Sequence, residues 1–184
     1  MRVAVVYESL FGNTHEIAES VADGIREARP EAVVECVPVG EAGSGRPEVD
    51  LLVVGGPTHF LGMTSERSRR MQQEYEKNAV EHGRAGHEDE PGAEGEGVRV
   101  WLEALPGAAN GRHAAAFDTR LDKLMAGGAA KRIARSLRDH GYEVVAEPEG
   151  FIVEDMDGPL RKGESGRARA WGAGLVLHAS HRPR

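Results

Sequence analysis

Ten residues near the start of the chain, Val5-Val6-Tyr7-Glu8-Ser9-Leu10-Phe11-Gly12-Asn13-Thr14, decide how the rest is read. The first three continue an apolar, β-branched run from Arg2, the pattern of a strand covered on both faces. Just beyond, Ile17, Ala18, Val21, Ala22 and Ile25 fall at helical spacing, with Glu16, Glu19, Asp23 and Arg26 off the stripe. A strand therefore turns directly into a helix predicted over residues 15–29. Asn13 stands where a cap belongs, Glu16 follows at the spacing of a capping box, and Pro30 marks the end. The hydroxyls of Ser9 and Thr14 and the backbone N–H groups from Leu10 to Thr14 are expected to point at one place. That place is a helix N-terminus, where unpaired N–H groups and the positive end of the dipole favour a phosphate. The turn contains no lysine or arginine, so neutral donors would hold the anion. It has neither the Gly-Lys-Ser/Thr ending of a Walker loop nor the Gly-x-Gly-x-x-Gly dinucleotide fingerprint. The same residues would also suit a plain turn in which Ser, Asn and Thr merely cap a helix.

Outward from this turn, short β-branched runs alternate with helical patterns, which predicts βαβ units and a parallel sheet. Strands are expected at residues 32–39, 51–55 and 112–117. A fifth, at 142–145 and 150–153, is interrupted at Pro148. Residues 40–50, rich in Gly, Glu and Pro, read as a loop. Helices are expected at 98–105, at 128–140 with Gly141 as a left-handed cap, and at 164–178, where Ala168, Trp171 and Leu175 share a face. Residues 64–82 have many charges and a weak apolar stripe through Met71, Tyr75 and Val80, which predicts a largely exposed helix. Residues 83–97 mix Gly86, Gly92, Gly95 and Gly97 with Glu88, Asp89, Glu90, Glu94 and Glu96. Such a stretch buries too little apolar surface to offset its ordering entropy and is expected to be a mobile acidic loop. The domain is expected over 1–178, with a frayed tail at 179–184.

The opening run resembles the flavodoxin signature, from Val5–Tyr7 through Ser9, Gly12 and Thr14 to Ala18 and Val21. The resemblance implies an α/β, flavodoxin-like three-layer sandwich with a five-stranded parallel sheet in the order 2-1-3-4-5, and flavin mononucleotide (FMN) as cofactor. It makes Ser9, Leu10, Phe11, Gly12, Asn13 and Thr14 the phosphate loop. A second cluster, Gly55-Gly56-Pro57-Thr58-His59-Phe60-Leu61-Gly62-Met63, follows the third strand. In a doubly wound sheet it should neighbour the first, at the point where strand order reverses. By the same resemblance Pro57, Thr58, His59 and Phe60 pack near the flavin ring, and Gly62 presents backbone to its N5. The plain alternative is a Gly/Pro turn with Phe60 in the core and His59 exposed. A third cluster, Phe117-Asp118-Thr119-Arg120, ends the fourth strand, and the resemblance gives this place to the second ring-packing loop. Many flavodoxins carry Tyr or Trp there, and this chain has neither between Asp118 and Gly128. Asp118 and Arg120 either hydrogen-bond the flavin edge or pair with each other.

The resemblance implies electron transfer through bound FMN to a protein redox partner. Two other classes stay open: an NAD(P)H-dependent quinone reductase or protoporphyrinogen-oxidase-like enzyme, and a flavodoxin-fold binding module without flavin. A phosphorylation receiver is excluded, since strand one is followed by the single acid Glu8 and strand three by Gly56-Pro57. The 184 residues make one domain. A net charge of -7 disfavours nucleic acid and anionic lipid while suiting partners with basic docking faces. No apolar run approaches the roughly 20 residues needed to span a bilayer. Residues 1–7 read as strand and not as the zones of a secretory signal, so a cytoplasmic protein is expected. The single cysteine, Cys36, cannot form an internal disulfide and sits among Val34, Val37 and Val39 as a buried structural thiol. The histidines lack metal-ligand spacing apart from His178 and His181, and no metal is assigned. Trp101 and Trp171 fall on helical stripes and are expected in the core.

Overall fold

The apolar run Arg2–Tyr7 forms strand β1, and its alternation sorts the core into two halves. Val3, Val5 and Tyr7 are buried on one face of the sheet, Ala4 and Val6 on the other. The computed structural model describes residues 1–43, 48–59, 62–63, 97–108, 112–122, 128–155 and 157–179. After β1 come α1 (Asn13–Ala28), β2 (Val33–Pro38), β3 (Leu51–His59), β4 (Gly62–Met63) and α2 (Val98–Ala104). There follow β5 (His113–Leu121), α3 (Ala129–Asp139), β6 (Glu143–Val144), β7 (Glu149–Val153) and α4 (Glu164–Ala179).

Strands β2, β1, β3, β5 and β6 lie side by side in that order, all parallel, and β7 also pairs with β5. This is the expected 2-1-3-4-5 order, with β5 as the fourth strand and β6 and β7 as two pieces of the fifth. The interruption at Pro148 is visible in the register. His113 and Ala114 pair with Glu143 and Val144, and pairing resumes at Phe117 with Glu149. From Ala114 to Phe117 is three steps, from Val144 to Glu149 five, so the outer strand bulges around the proline.

Helices α1 and α4 cover the face of Val3, Val5, Leu51, Val53 and Phe117, while α2 and α3 cover that of Ala4, Val6, Leu52, Val54 and Ala116. Trp171 contributes to the first half through edge-on contacts with Phe117 and Phe151. Trp101 is buried in the second and donates Nε1–H to the Gly43 carbonyl at 2.8 Å. Helix α3 closes as expected: Gly141 is left-handed at φ 84°, its N–H reaches the Arg138 carbonyl, and Tyr142 N–H reaches that of Leu137. Cys36 is partly buried, and burial, with Glu19 nearby, holds its thiol well above its ordinary pKa and so protonated.

Three expectations change. Helix α1 starts at Asn13, and its N-cap is Gly12 (φ 82°) with no side-chain cap. The capping box does not form because Asn13 is already the first helical residue and Gly12 takes the cap position; Asn13 Nδ2 instead donates to the Asp157 carbonyl at 3.0 Å, and Glu16 accepts from Ser165 Oγ at 2.6 Å. The third strand does not end at Gly55 but runs to His59 and folds back as a hairpin, Thr58 opposite Met63 and His59 opposite Gly62. Pro57 is tolerated because β1 stops pairing at Gly55, so its missing N–H leaves no β1 carbonyl unpaired. The fourth strand extends to Leu121 because β7 supplies partners for Phe117 through Leu121. Asp118, Thr119 and Arg120 are therefore strand residues, not a loop.

Phe60, the helix expected at 64–82, residues 83–96 of the acidic loop and residues 180–184 lie outside the described residues. Ala179, assigned to the tail, ends α4, and Gly97 is the N-cap of α2. No described helix is long and apolar enough to cross a membrane.

Candidate functional site

The turn between β1 and α1 sits at the carboxyl end of the sheet, against the end of β3: Glu8 N–H donates to the Gly55 carbonyl at 3.0 Å. The first two sequence clusters are thus neighbours, as the reversal of strand order requires. Leu10, Phe11, Gly12 and Asn13 are partly exposed, while Ser9 and Thr14 are buried. Ser9 Oγ accepts from Gly12 N–H at 3.1 Å, which closes the turn and helps fix the left-handed glycine. The ring of His15, in the first turn of α1, stacks on Tyr7 with centroids 4.9 Å apart.

The two hydroxyls do not converge in the way the sequence suggests. Thr14 Oγ1 turns inward and shares a 2.7 Å hydrogen bond with Thr119 Oγ1, both residues being buried. That bond ties the third cluster to the first. The neighbours of Thr119 point to the opposite face, as strand alternation demands. There Asp118 Oδ2 accepts from Thr58 Oγ1 at 2.8 Å and from Ala130 N–H at 2.9 Å, while Thr58 Oγ1 accepts from Ala129 N–H at 2.8 Å. Thr58 and Asp118 together cap α3, an acid placed where the helix dipole favours one. Thr58 and Asp118 are thus brought together, but their polar atoms face α3.

Asp118 is fully buried. Burial pushes its carboxyl above the ordinary value, against the opposing pull of the Ala130 N–H, Arg120 and the Thr58 hydroxyl. Arg120 Nε stands 3.8 Å from Asp118 Oδ1, an ion pair too long for a hydrogen bond, and Oδ1 has no hydrogen-bond partner among the described residues. Of the two roles left open for these residues, Asp118 is occupied by capping and pairing, while Arg120 keeps an exposed flank of 30%.

Several residues of the site were not singled out in the sequence. Glu8 is buried and accepts from Val98 N–H through Oε2 at 2.9 Å, so a second acid caps α2 as Asp118 caps α3. The alternation Ala4, Val6, Glu8 was the available signal, since it places Glu8 on the α2 face. Asp157 and Gly158, in the connection between β7 and α4, lie on Asn13; a Cβ on Gly158 would stand 2.5 Å from Asn13 Oδ1. Gly150 lies against the Arg120 guanidinium, and Gly128 against both Asp118 and Arg120. Nothing in the local sequence joins these to the turn at Ser9, because each arrives from a distant element. Gly62 is placed by its backbone pairing with His59, and Met63 accepts from Arg99 at the start of α2. Among the described residues no cluster of His, Cys, Asp and Glu could hold a metal ion.

No protein-family model matches the sequence, and no curated protein matches it. Solved structures do match the fold. A flavodoxin from the domain Archaea superposes with a TM-score of 0.62 at 18% identity, covering 98% of this chain and 100% of the other. Oxidised flavodoxin 1 from Bacillus cereus gives 0.65 at 17% identity, over 97% and 99%. A flavodiiron protein from Giardia intestinalis gives 0.58 at 18%, over 97% of this chain but 36% of its own length. The chain has the flavodoxin-like fold. Its match extends over whole flavodoxins and over only a portion of the longer flavodiiron protein.

Proposed function

We propose that the protein is a cytoplasmic electron carrier that binds FMN with its phosphate at the turn between β1 and α1. One observation supports this above others: α1 begins at a left-handed glycine with no side-chain cap, so the N–H groups of Asn13 and Thr14 at its start are placed for an anion. A 5′-phosphate fits that donor set, because N–H groups and hydroxyls hold it without a lysine or arginine. Leu10, Asn13 and Thr14 would supply backbone N–H groups and Ser9 its hydroxyl proton, joined by that of Thr14 when Thr119 is the donor of their shared bond. The hairpin of Thr58 and Met63 on one side, and the strand of Asp118, Thr119 and Arg120 on the other, would bound the ring. Thr58 acts there by positioning, since its hydroxyl is taken by Asp118 and Ala129. FMN supplies the redox chemistry when bound; the chain binds it, orients it and sets the charge around it.

The carrier reading is favoured over a reductase by the lack of a dinucleotide fingerprint and by the net charge of -7, which suits a basic protein partner. Incubation of the purified protein with FMN, followed by gel filtration, tests it. Retained flavin absorbance, slow bleaching by NADPH alone, and rapid reoxidation of the reduced protein by a one-electron acceptor are expected. Failure to retain flavin would favour a flavin-free binding module. Fast bleaching by NADPH with quinone-dependent turnover would favour the reductase.

A further inference from the structure

We propose that Arg120 is the cationic recognition residue of this site, engaging the carbonyl-bearing edge of the flavin ring on the side of the sheet away from the phosphate. The assignment rests on the FMN reading above. Its starting point is the space the guanidinium occupies. A Cβ on Gly150 would stand 2.3 Å from Arg120 Cζ, and one on Gly128 would stand 2.2 Å from Asp118 Oδ2 and 2.7 Å from Arg120 Nη1. Gly150 therefore leaves volume that the guanidinium alone fills, Gly128 leaves volume shared by the guanidinium and the Asp118 carboxylate, and the guanidinium is held against backbone instead of trailing into solvent.

A group held in this way would ordinarily use its donors on the protein. Arg161, near the same end, bonds Asp122 and Glu154, and Arg167 bonds Glu149 and Glu164 while lying over the Phe151 ring. Arg120 makes no hydrogen bond among the described residues. Its ion-pair partner among them is Asp118, at 3.8 Å, whose facing oxygen also has no hydrogen-bond partner there. The cradle fixes a planar fork of five N–H donors, which suits a ligand with adjacent oxygen and nitrogen acceptors.

Alternation along β5 says which part of a ligand this would be. Thr119 faces Thr14 and the phosphate turn, so Arg120, one residue on, faces the other side of the sheet, toward Gly128 at the start of α3. A ligand anchored by phosphate at α1 and spanning the end of the sheet meets Arg120 with its distal portion. In FMN that portion is the ring, whose pyrimidine edge carries carbonyl oxygens and ring nitrogens. Uptake of two electrons and one proton makes the ring a monoanion, and a fixed guanidinium favours that form over the neutral oxidised one.

The test uses the full chain with Arg120→Met, which keeps the stem, Arg120→Lys, which keeps the charge, and Gly150→Ala, which fills the cradle. Dissociation constants for FMN and riboflavin are measured by flavin fluorescence, and the two-electron midpoint by dithionite titration against a reference dye. Circular dichroism checks the fold of each variant. Arg120→Met is expected to weaken FMN and riboflavin by the same factor, about tenfold, leaving their ratio unchanged. The midpoint falls by about 30 mV for each tenfold by which the reduced flavin loses more than the oxidised. Gly150→Ala shifts both readouts in the same direction, and Arg120→Lys retains part of the midpoint. If Arg120→Met does not fold, Gly150→Ala and Arg120→Lys are read alone, and unchanged affinity and midpoint in both overturn the assignment. Unchanged values in a folded Arg120→Met overturn it directly, and so does a loss confined to FMN, which would put Arg120 at the phosphate. A parent protein that binds neither flavin overturns the proposed function itself, and the assignment with it.

Discussion

The hydroxyl of Thr14 is buried against that of Thr119, so its single proton either goes to Thr119 or, when Thr119 is the donor, remains for a ligand. In the proposed function the second arrangement holds in the bound state. Thr14→Val then removes a hydrogen bond to a charged group, about 1.5–3 kcal/mol, or roughly tenfold to a hundredfold in FMN affinity. Thr119→Val leaves the Thr14 proton in place and should cost less. Fluorescence titration measures both, and parent-like binding by Thr14→Val together with Ser9→Ala would move the phosphate elsewhere. Asp118 supports a prediction independent of any ligand. Burial raises its pKa in the folded chain, so the native state holds a proton that the unfolded state has already released. Its contribution to stability is therefore full below the unfolded value, about 3.9, and declines as pH rises through the raised native value. Asp118→Asn keeps an acceptor for Thr58 and Ala130 but does not titrate. Urea unfolding between pH 4 and neutrality should show the variant gaining on the parent as pH rises; a constant difference would mean that the pKa is not raised.

Among the elements, α1 and α4 pack so closely that their backbones meet. A Cβ on Gly24 would stand 1.9 Å from the Arg169 carbonyl oxygen, and one on Gly172 would stand 2.3 Å from that of Val21. Neither carbonyl can move without shifting its helix. Gly24→Ala should therefore destabilise by about 1–3 kcal/mol through overpacking, against its gain in helix propensity. Gly174, in the same helix as Gly172, meets nothing within 4 Å, so Gly174→Ala should stabilise by roughly 0.5–1 kcal/mol. Thermal melts of the two variants, moving in opposite directions, would separate close packing from propensity. A further tie holds α4 to β7: Glu164 accepts from Ile152 N–H and pairs with Arg167. Burial alone would raise the Glu164 carboxyl, but the Arg167 and Ile152 hydrogen bonds outweigh it and hold its pKa below the ordinary value. This contribution is present above the unfolded pKa and is lost as pH falls through the folded one, the opposite sense to Asp118.

For the whole molecule, the net charge of -7 bears on rate and not on fold. If the protein passes electrons to a partner with a basic docking face, long-range attraction raises the encounter rate. Salt screens that attraction beyond about 8–10 Å near physiological ionic strength. The second-order rate of electron exchange with a basic acceptor should fall as salt is raised, measured by stopped flow. A rate independent of salt would remove the electrostatic steering while leaving FMN binding untouched.

The sequence by itself determined the fold, because burial on two faces shows in a chain as contiguous apolar runs, and helical stripes between them admit few topologies. The alternation of strands and helices, the break at Pro148, the cap at Gly141 and the turn at Ser9 to Thr14 were legible for that reason, each being set by residues adjacent in the chain, whereas the strand order came from the resemblance to flavodoxins. The site was legible only in outline. Asp118 and Arg120 read as a loop because their strand character depends on partners in β7 that lie 32 residues further on, and Glu8 read as incidental because its partner is the N–H of Val98. Only the tertiary structure decided that Asn13 enters its helix and holds Asp157 in place of capping, that Thr14 meets Thr119, and that Gly128 and Gly150 leave room for the Arg120 guanidinium and the Asp118 carboxylate. The physical reason is common to all three: a polar group's partner is chosen by distance in space, and a parallel sheet brings the end of β3 beside those of β1 and β5 from positions 48 and 62 residues apart in the chain.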